Sequence, residues 1–298
     1  MKINVSLIIA LAVLAAIPAK VRAQQDLYVT SIQGYGPAGT VGEYLTSGGA
    51  VNASLINSGL SLPVGLAVSG GTLYVANQGN GSTVGTIATY NANSGKPLAV
   101  PFVSGLSKPT GLAVSSNTLY VSSFTSSGTV LAFNANTGAP VPAPWTNITT
   151  GLARPTGLAV AGSTLYVAQL GAGPGHGTVT AYNANSGAPI PSFLIANLGA
   201  PTGVVVTGNT LYVSDQLSGT VGRYDATSGS PEPPNGVNFI TGLDSPAGLV
   251  IVNRGTTLFV ANSMNGTVSQ CDAKAGTIVN ASFLSGLTGA SGIAVKNQ

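Results

Sequence analysis

Residues 155–182 read PTGLAVAGSTLYVAQLGAGPGHGTVTAY. Three short runs of Val, Leu, Ala, Thr and Tyr are divided by Gly, Ser and Pro, the pattern of strands punctuated by turns. The same stretch recurs along the chain. LYV stands at Leu27, Leu73, Leu119, Leu165 and Leu211 and returns as LFV at Leu258, with a spacing of 46 residues four times and 47 once. GLAV begins at Gly65, Gly111 and Gly157 and recurs as GVVV at Gly203, GLVI at Gly248 and GIAV at Gly292. A Gly-Thr run opens at Gly39, Gly85, Gly128, Gly177, Gly219 and Gly266. A looser run closes each repeat, as in FVSGL from Phe102, FLIANL from Phe193, FITGL from Phe239 and FLSGL from Phe283. Self-similarity at this period marks a repeat architecture.

Each repeat therefore holds four strands, here named A (GLAV), B (LYV), C (GTVxxY) and D (FxSGL). Turns such as NANSG, NANTG and DATSG join C to D, where Asn, Asp and Gly supply positive φ. The small residues of strand A suit the crowded centre of a ring. A linear solenoid and a closed propeller both fit the period, and phase separates them. The N-terminal part-repeat begins just before a B strand at Leu27, and the chain ends just after an A strand, Gly292–Val295. Complementary part-repeats close a ring without leaving a sheet edge bare, whereas a solenoid wants distinct caps. The expectation is an all-β, six-bladed β-propeller of four-stranded antiparallel blades over 24–298. Its C-terminal inner strand, 292–295, joins the N-terminal strands within 27–60.

Residues 1–23 carry Lys2, an apolar run from Val5 to Ile17 and Val21-Arg22-Ala23, the pattern of a signal peptide cleaved after Ala23. The run is short for about 30 Å of hydrocarbon, so no membrane span is expected once the leader is removed. Lys2, Lys20 and Arg22 leave with it, so seven basic residues face seven acidic ones and the net charge of +3 falls to zero. That removes the basic patch a nucleic-acid partner requires. Such a neutral, sparsely charged chain suits a secreted or periplasmic scaffold. The single cysteine, Cys271, allows no internal disulfide and stands where other repeats place an aromatic in strand C, so it reads as core.

Pro-Thr-Gly-Leu-Ala-Val, then Thr-Leu-Tyr-Val-Ala and Gly-Thr-Val, resembles the NHL-type repeat of TolB-like six-bladed propellers across 24–298. The resemblance implies the fold. For function it implies a range, from protein- and RNA-binding platforms to gluconolactonase-like and streptogramin-lyase-like enzymes, and fold does not choose among them.

In a propeller the D-to-A connections and B-to-C loops share one face. The B-to-C loops are long in three repeats, 30–38, 76–84 and 168–176, and short in the others. Variable loops on a constant frame are where function concentrates. At the end of strand B stands a ring of polar residues, Ser31, Asn77, Ser123, Gln169, Asp215 and Asn262. Asn77, Gln169, Asp215 and Asn262 are candidate ligand-binding residues; the competing reading is that the ring hydrogen-bonds its own loop backbone. Lys108 and Arg154, each before a proline, form a candidate anion pair, and His176 in GAGPGHG is a candidate ligand contact. A divalent cation, if bound, falls to Asp215 with Asn77 and Asn262, since calcium accepts amide oxygens. One histidine cannot make the paired-His arrangement of the family's lyases, and no nucleophile elbow is present. These residues favour a non-catalytic binding or scaffold module taking a protein, glycan or small ligand on its loop face, with no cofactor. A metal-dependent lactonase- or lyase-like enzyme and a self-associating cell-surface protein are the alternatives.

Overall fold

A computed structural model describes residues 25–32, 38–80 and 84–296. The leader expected over 1–23 lies outside the described residues. Six antiparallel sheets form a ring of blades. Blade 1 contains β1 (Asp26–Ile32), β2 (Gly39–Leu45) and β3 (Ala50–Ile56). Blade 2 contains β4 (Pro63–Ser69), β5 (Thr72–Asn77), β6 (Gly85–Asn91) and β7 (Pro97–Leu106). Blade 3 has β8 (Pro109–Ser115), β9 (Thr118–Ser123) and β10 (Thr129–Asn134). Blade 4 has β11 (Pro155–Ala161), β12 (Thr164–Gln169), β13 (Gly177–Asn183) and β14 (Pro189–Leu198). Blade 5 has β15 (Pro201–Thr207), β16 (Thr210–Asp215) and β17 (Thr220–Asp225). Blade 6 has β18 (Pro246–Val252), β19 (Thr257–Asn262), β20 (Thr267–Asp272) and β21 (Thr277–Leu284). The last strand, β22 (Ile293–Lys296), returns to blade 1.

Closure follows the phase of the repeat. β22 pairs antiparallel with β1, with Leu27 opposite Val295, Tyr28 opposite Ala294 and Val29 opposite Ile293. Blades 3 and 5 depart from the four-strand plan in detail. Their outer strands shrink to isolated bridges, Val130 with Ile148 and Phe133 with Pro140 in one, Val221 with Ile240 and Tyr224 with Pro231 in the other. Pro140, Pro142 and Pro144, and Pro231, Pro233 and Pro234, supply no N–H to a ladder, so a regular strand cannot form there.

Burial explains the composition of each strand. The B strands are covered on both faces by neighbouring blades, so β5, β9, β12, β16 and β19 are buried from their second residue onward. Consecutive apolar residues replace strict alternation for that reason. The outer strand β3 is exposed along most of its length. Six apolar clusters fill the ring, one at each seam between successive blades.

The glycine of GLAV has a defined cause. A Cβ on Gly65, Gly111, Gly157, Gly203, Gly248 or Gly292 would stand 1.9–2.5 Å from a carbonyl oxygen of the next inner strand: Thr110, Thr156, Thr202, Ala247, Ser291 and Val64 in turn. Real atoms cannot approach so closely, so any side chain would push the blades apart at the axis. Farther out, the tyrosine of LYV stitches each of blades 1 to 5 to the next. Tyr28, Tyr74, Tyr120, Tyr166 and Tyr212 donate to the carbonyls of Ala92, Ala135, Ala184, Ala226 and Ala273 at 2.7–2.8 Å.

Candidate functional site: the axial channel and its loop-face mouth

The inner strands of all six blades enclose a channel of about 480 Å³. Their inward edges are unpaired sheet edges, so main-chain N–H and C=O groups form much of its wall. Among the described residues no charged side chain lines it. At the loop-face end the lining carries Thr110, Thr156, Thr202, Gln216, Ser263 and Ser291.

Local sequence builds this mouth. After each inner-strand proline the ladder shifts register, as between Pro109 and Leu112 and between Pro201 and Val204. The shift leaves a glycine N–H without a strand partner. In blade 3 Ser122 Oγ accepts the Gly111 N–H at 2.8 Å and donates to Thr156 O, in the next blade, at 2.6 Å. In blade 5 Ser214 Oγ accepts from Gly203 N at 2.7 Å and donates to Ala247 O at 2.6 Å. In blade 1 Thr30 Oγ1 accepts from Gly292 N at 2.6 Å. Blades 2, 4 and 6 place Ala76, Ala168 and Ala261 there. Threonines at the rim add further links: Thr156 Oγ1 donates to Pro201 O at 2.9 Å and Thr202 Oγ1 to Pro246 O at 2.8 Å. Gln78 donates to Thr110 at 3.2 Å and Gln216 to Ser263 at 3.3 Å.

The polar ring at the end of strand B sits just outside this mouth. Asn77, Gln169, Asp215 and Asn262 are only 3, 3, 7 and 1 % exposed. Asn77 Oδ1 accepts the Ser61 N–H at 3.1 Å, and Gln169 Oε1 accepts that of Ala153 at 2.9 Å. Asp215 accepts Gly199 N at 2.6 Å on Oδ2, and Ala200 N at 2.9 Å and Ser218 N at 3.3 Å on Oδ1. These bonds clamp the connection that enters each inner strand. In blade 6 Asn262 turns its amide nitrogen to Thr267 and Ser269, at 3.1 and 2.8 Å, and its buried Oδ1 has no partner.

For a divalent ion the donor set fits poorly. Both Asp215 oxygens already hold backbone N–H groups, and among the described residues no three His, Cys, Asp or Glu side chains come together. A hard cation wants six to eight free oxygens.

The candidate cations lie apart in their surroundings. Arg154 Nε and Nη2 donate to Gly171 O at 2.9 and 2.5 Å, and Leu170 N returns to Arg154 O at 3.1 Å. Gln169, Arg154 and the 170–176 loop thus form one hydrogen-bonded unit in blade 4, with His176 exposed at the end of the loop, directly before β13. Lys108 is exposed on the preceding blade. Both cations hold positive φ, 46° and 52°, as do Leu62 and Ser245 at the same repeat position, so that kink belongs to the frame. Of the long loops, 170–176 is described throughout, while 33–37 and 81–83 fall outside the described residues. The Thr and Ser lining the mouth were not singled out from the sequence; for Thr110, Thr156 and Thr202, recurrence at the second inner-strand position was the signal.

The fold is shared with solved structures. A chain in the crystal structure of a nidogen/laminin complex matches with a TM-score of 0.70 and 14% identity, over 91% of this chain and 98% of that one. The computationally designed Ika8 protein matches with a TM-score of 0.50 and 14% identity, over 91% and 78%. At such identity the likeness is one of fold. No protein-family model matches the chain. No curated protein sequence matches it either. Among the described residues no helix is long and apolar enough to cross a membrane.

Proposed function

We propose that this chain is a non-catalytic binding module of the NHL-like propeller type, working outside the cytoplasm and gripping an uncharged segment of a protein partner at the loop-face mouth. One observation carries the reading. The channel wall offers main-chain donors and acceptors with hydroxyl and amide side chains, and among the described residues no charged group. Such a wall suits peptide groups and hydroxyls better than an ion, because a buried charge without a partner is costly. The nearby carboxylate and amides hold the frame, which leaves little machinery for acid–base work. The fold likeness to a chain from a nidogen/laminin complex is in keeping with protein recognition.

The test is a screen of the folded chain against a displayed peptide library and, in parallel, a glycan array. Two variants follow: Gln216→Ala with Ser263→Ala, and replacement of 170–176 by the shorter 124–127 segment. The reading expects peptide ligands whose affinity falls at least tenfold in one variant while melting is preserved. Glycan ligands alone, or ligands indifferent to both changes, would overturn it. A large thermal shift with Ca²⁺, Mg²⁺ or Zn²⁺, abolished by Asp215→Ala, would favour the metal-dependent enzyme instead.

A further inference from the structure

The face opposite the loops holds most of the charge. Between blades 5 and 6, on the side of the A-to-B and C-to-D turns, lies a cleft of about 320 Å³. Arg223, Arg254, Lys274 and Glu232 line it, which is three of the seven basic residues outside the leader. We propose that this cleft binds a phosphomonoester-type dianion, independently of the loop-face reading.

The charges in the cleft are unequal in freedom. Arg223 is held at three points: Nε lies at ion-pair distance from Glu232 Oε2, 3.1 Å, without hydrogen-bond alignment, while Nη1 donates to Lys274 O at 3.3 Å and Nη2 to Pro233 O at 2.6 Å. Its guanidinium also stacks over the Phe239 ring at 4.0 Å. Glu232 is held in turn by Thr210 Oγ1 at 3.1 Å. That pair is neutral and rigid, and it forms a fixed wall. Arg254 and Lys274 are different. Both are exposed, and among the described residues neither side chain has an ion-pair or hydrogen-bond partner. The next carboxylate, Asp272, feels the Lys274 charge at a distance but makes its hydrogen bonds to its own loop, accepting the N–H groups of Lys274 and Ala275 at 2.7 and 2.8 Å. Two free cations at one cleft match a group with two negative charges, and an arginine suits the planar, paired acceptors of a phosphate. A volume of about 320 Å³ is roughly ten times the ≈ 30 Å³ share of one water, so the organic group carrying the phosphate also has room.

Nothing in the repeat calls for this arrangement. Arg254 belongs to an A-to-B turn two residues longer than its counterparts, Val252 pairing with Thr257 where Ser69 pairs with Thr72; with the stretch from Gly203 to Gly248 one residue short, the spacing there comes to 47. Asn253 and Arg254 hold φ of 52° and 56° there, and Gly255 N closes the turn on Val252 O at 3.1 Å. Lys274 stands where the other turns place Asn93, Asn136, Asn185 and Thr227.

The experiment is an NMR titration of the full folded chain at pH 7.5 with glycerol 2-phosphate, methyl sulfate and sodium acetate, at ionic strength matched with sodium chloride. At that pH a phosphomonoester is mostly a dianion. Saturable shifts at the amides of Arg254, Gly255 and Lys274 are expected with glycerol 2-phosphate, at least tenfold tighter than with the two monoanions. Arg254→Ala with Lys274→Ala should weaken binding at least tenfold and leave melting unchanged, while Lys96→Ala with Lys108→Ala should leave binding intact. Equal affinity for acetate would overturn the dianion assignment. Absence of saturation, or saturation indifferent to the Arg254/Lys274 pair, would overturn the site.

Discussion

The seam where blade 6 meets blade 1 can be set against the other five. At the axis the six are alike: Gly248 faces Ser291 O just as Gly157 faces Thr202 O, each with room for no more than a hydrogen. At the rim they diverge. In five seams a C-to-D turn glycine lies under the preceding blade, and a Cβ on Gly95, Gly138, Gly187, Gly229 or Gly276 would come within 2.1–3.0 Å of a carbonyl oxygen there. At the closing seam Gly48 has only the Phe283 ring, at 3.7 Å. The tyrosine stitch is missing too, since Phe259 has no hydroxyl; it keeps only the aromatic pair that the tyrosines of blades 2 to 5 also make, here with Phe283 at 4.8 Å between centroids. The closing blade has its own fastenings, a Lys296–Asp26 ion pair at 3.5 Å and a Lys296–Asn93 hydrogen bond. Axial contact is thus a demand of ring geometry that every seam must meet. Rim contact is a habit of the repeat sequence, lost where the turn reads LTSGG in place of NANSG.

The largest effect should come from removing 292–298. Ile293 and Ala294 are buried, and the loss bares the inner edge of β1. Burial of Ile293 alone contributes about 1.5–3 kcal/mol, so a melting drop of at least about 3 °C is expected at this size. Unchanged calorimetric melting would break the view that the axis must be complete.

Next come the turn glycines. Gly187→Ala combines a φ of 74° with a Cβ 2.1 Å from Thr146 O and should cost about 2–4 kcal/mol, while Gly48→Ala, at a φ of 104° with open space, should cost about 1–2 kcal/mol. Equal urea midpoints for the two would erase the contrast between seams.

Smaller again are the tyrosine stitches. Tyr120→Phe or Tyr166→Phe should each lose about 1–2 kcal/mol by leaving a buried carbonyl without its donor. Phe259→Tyr should bring no matching gain, because the facing turn differs. Cys271 gives an independent readout at the seam of blades 5 and 6. Burial removes its thiol from water and pushes its pKa up to about 12, so native protein should resist thiol reagents at pH 8 until it unfolds.

The smallest effect concerns pH. Burial, reinforced by Asp26, raises the pKa of Glu43 in the closing blade, against the opposing influence of Lys296 and Tyr28. An acid whose pKa is higher folded than unfolded binds its proton more readily in the native state. Its contribution is therefore full below the ordinary carboxylate range and fades as pH rises through the raised value. Glu43→Gln should flatten that part of the melting profile. Asp225 and Asp272 act oppositely, since backbone N–H groups of their turns lower their pKa values and their contribution fades as pH falls. The acid-side slope set by those two aspartates should persist in Glu43→Gln; an unchanged profile above it would show that Glu43 does not couple to closure.

Blade number, strand order within a blade, closure phase and the buried place of Cys271 were legible in the chain, because each repeat states the same local requirements and six statements agree; the loss of a regular outer strand in blades 3 and 5 was not. The small residues of strand A were legible as a tendency; their cause, a carbonyl of the next blade, belongs to tertiary contact. Asn77, Gln169 and Asp215 were legible as a polar ring, but only packing assigns their oxygens to the N–H groups entering the inner strands. The hydroxyls at the mouth, the tyrosine stitches and the Arg254–Lys274 cleft join residues from different repeats. Periodicity describes what each blade shares with the others, whereas these features depend on how one blade's exceptions face the next, and only the assembled ring brings those side chains within reach.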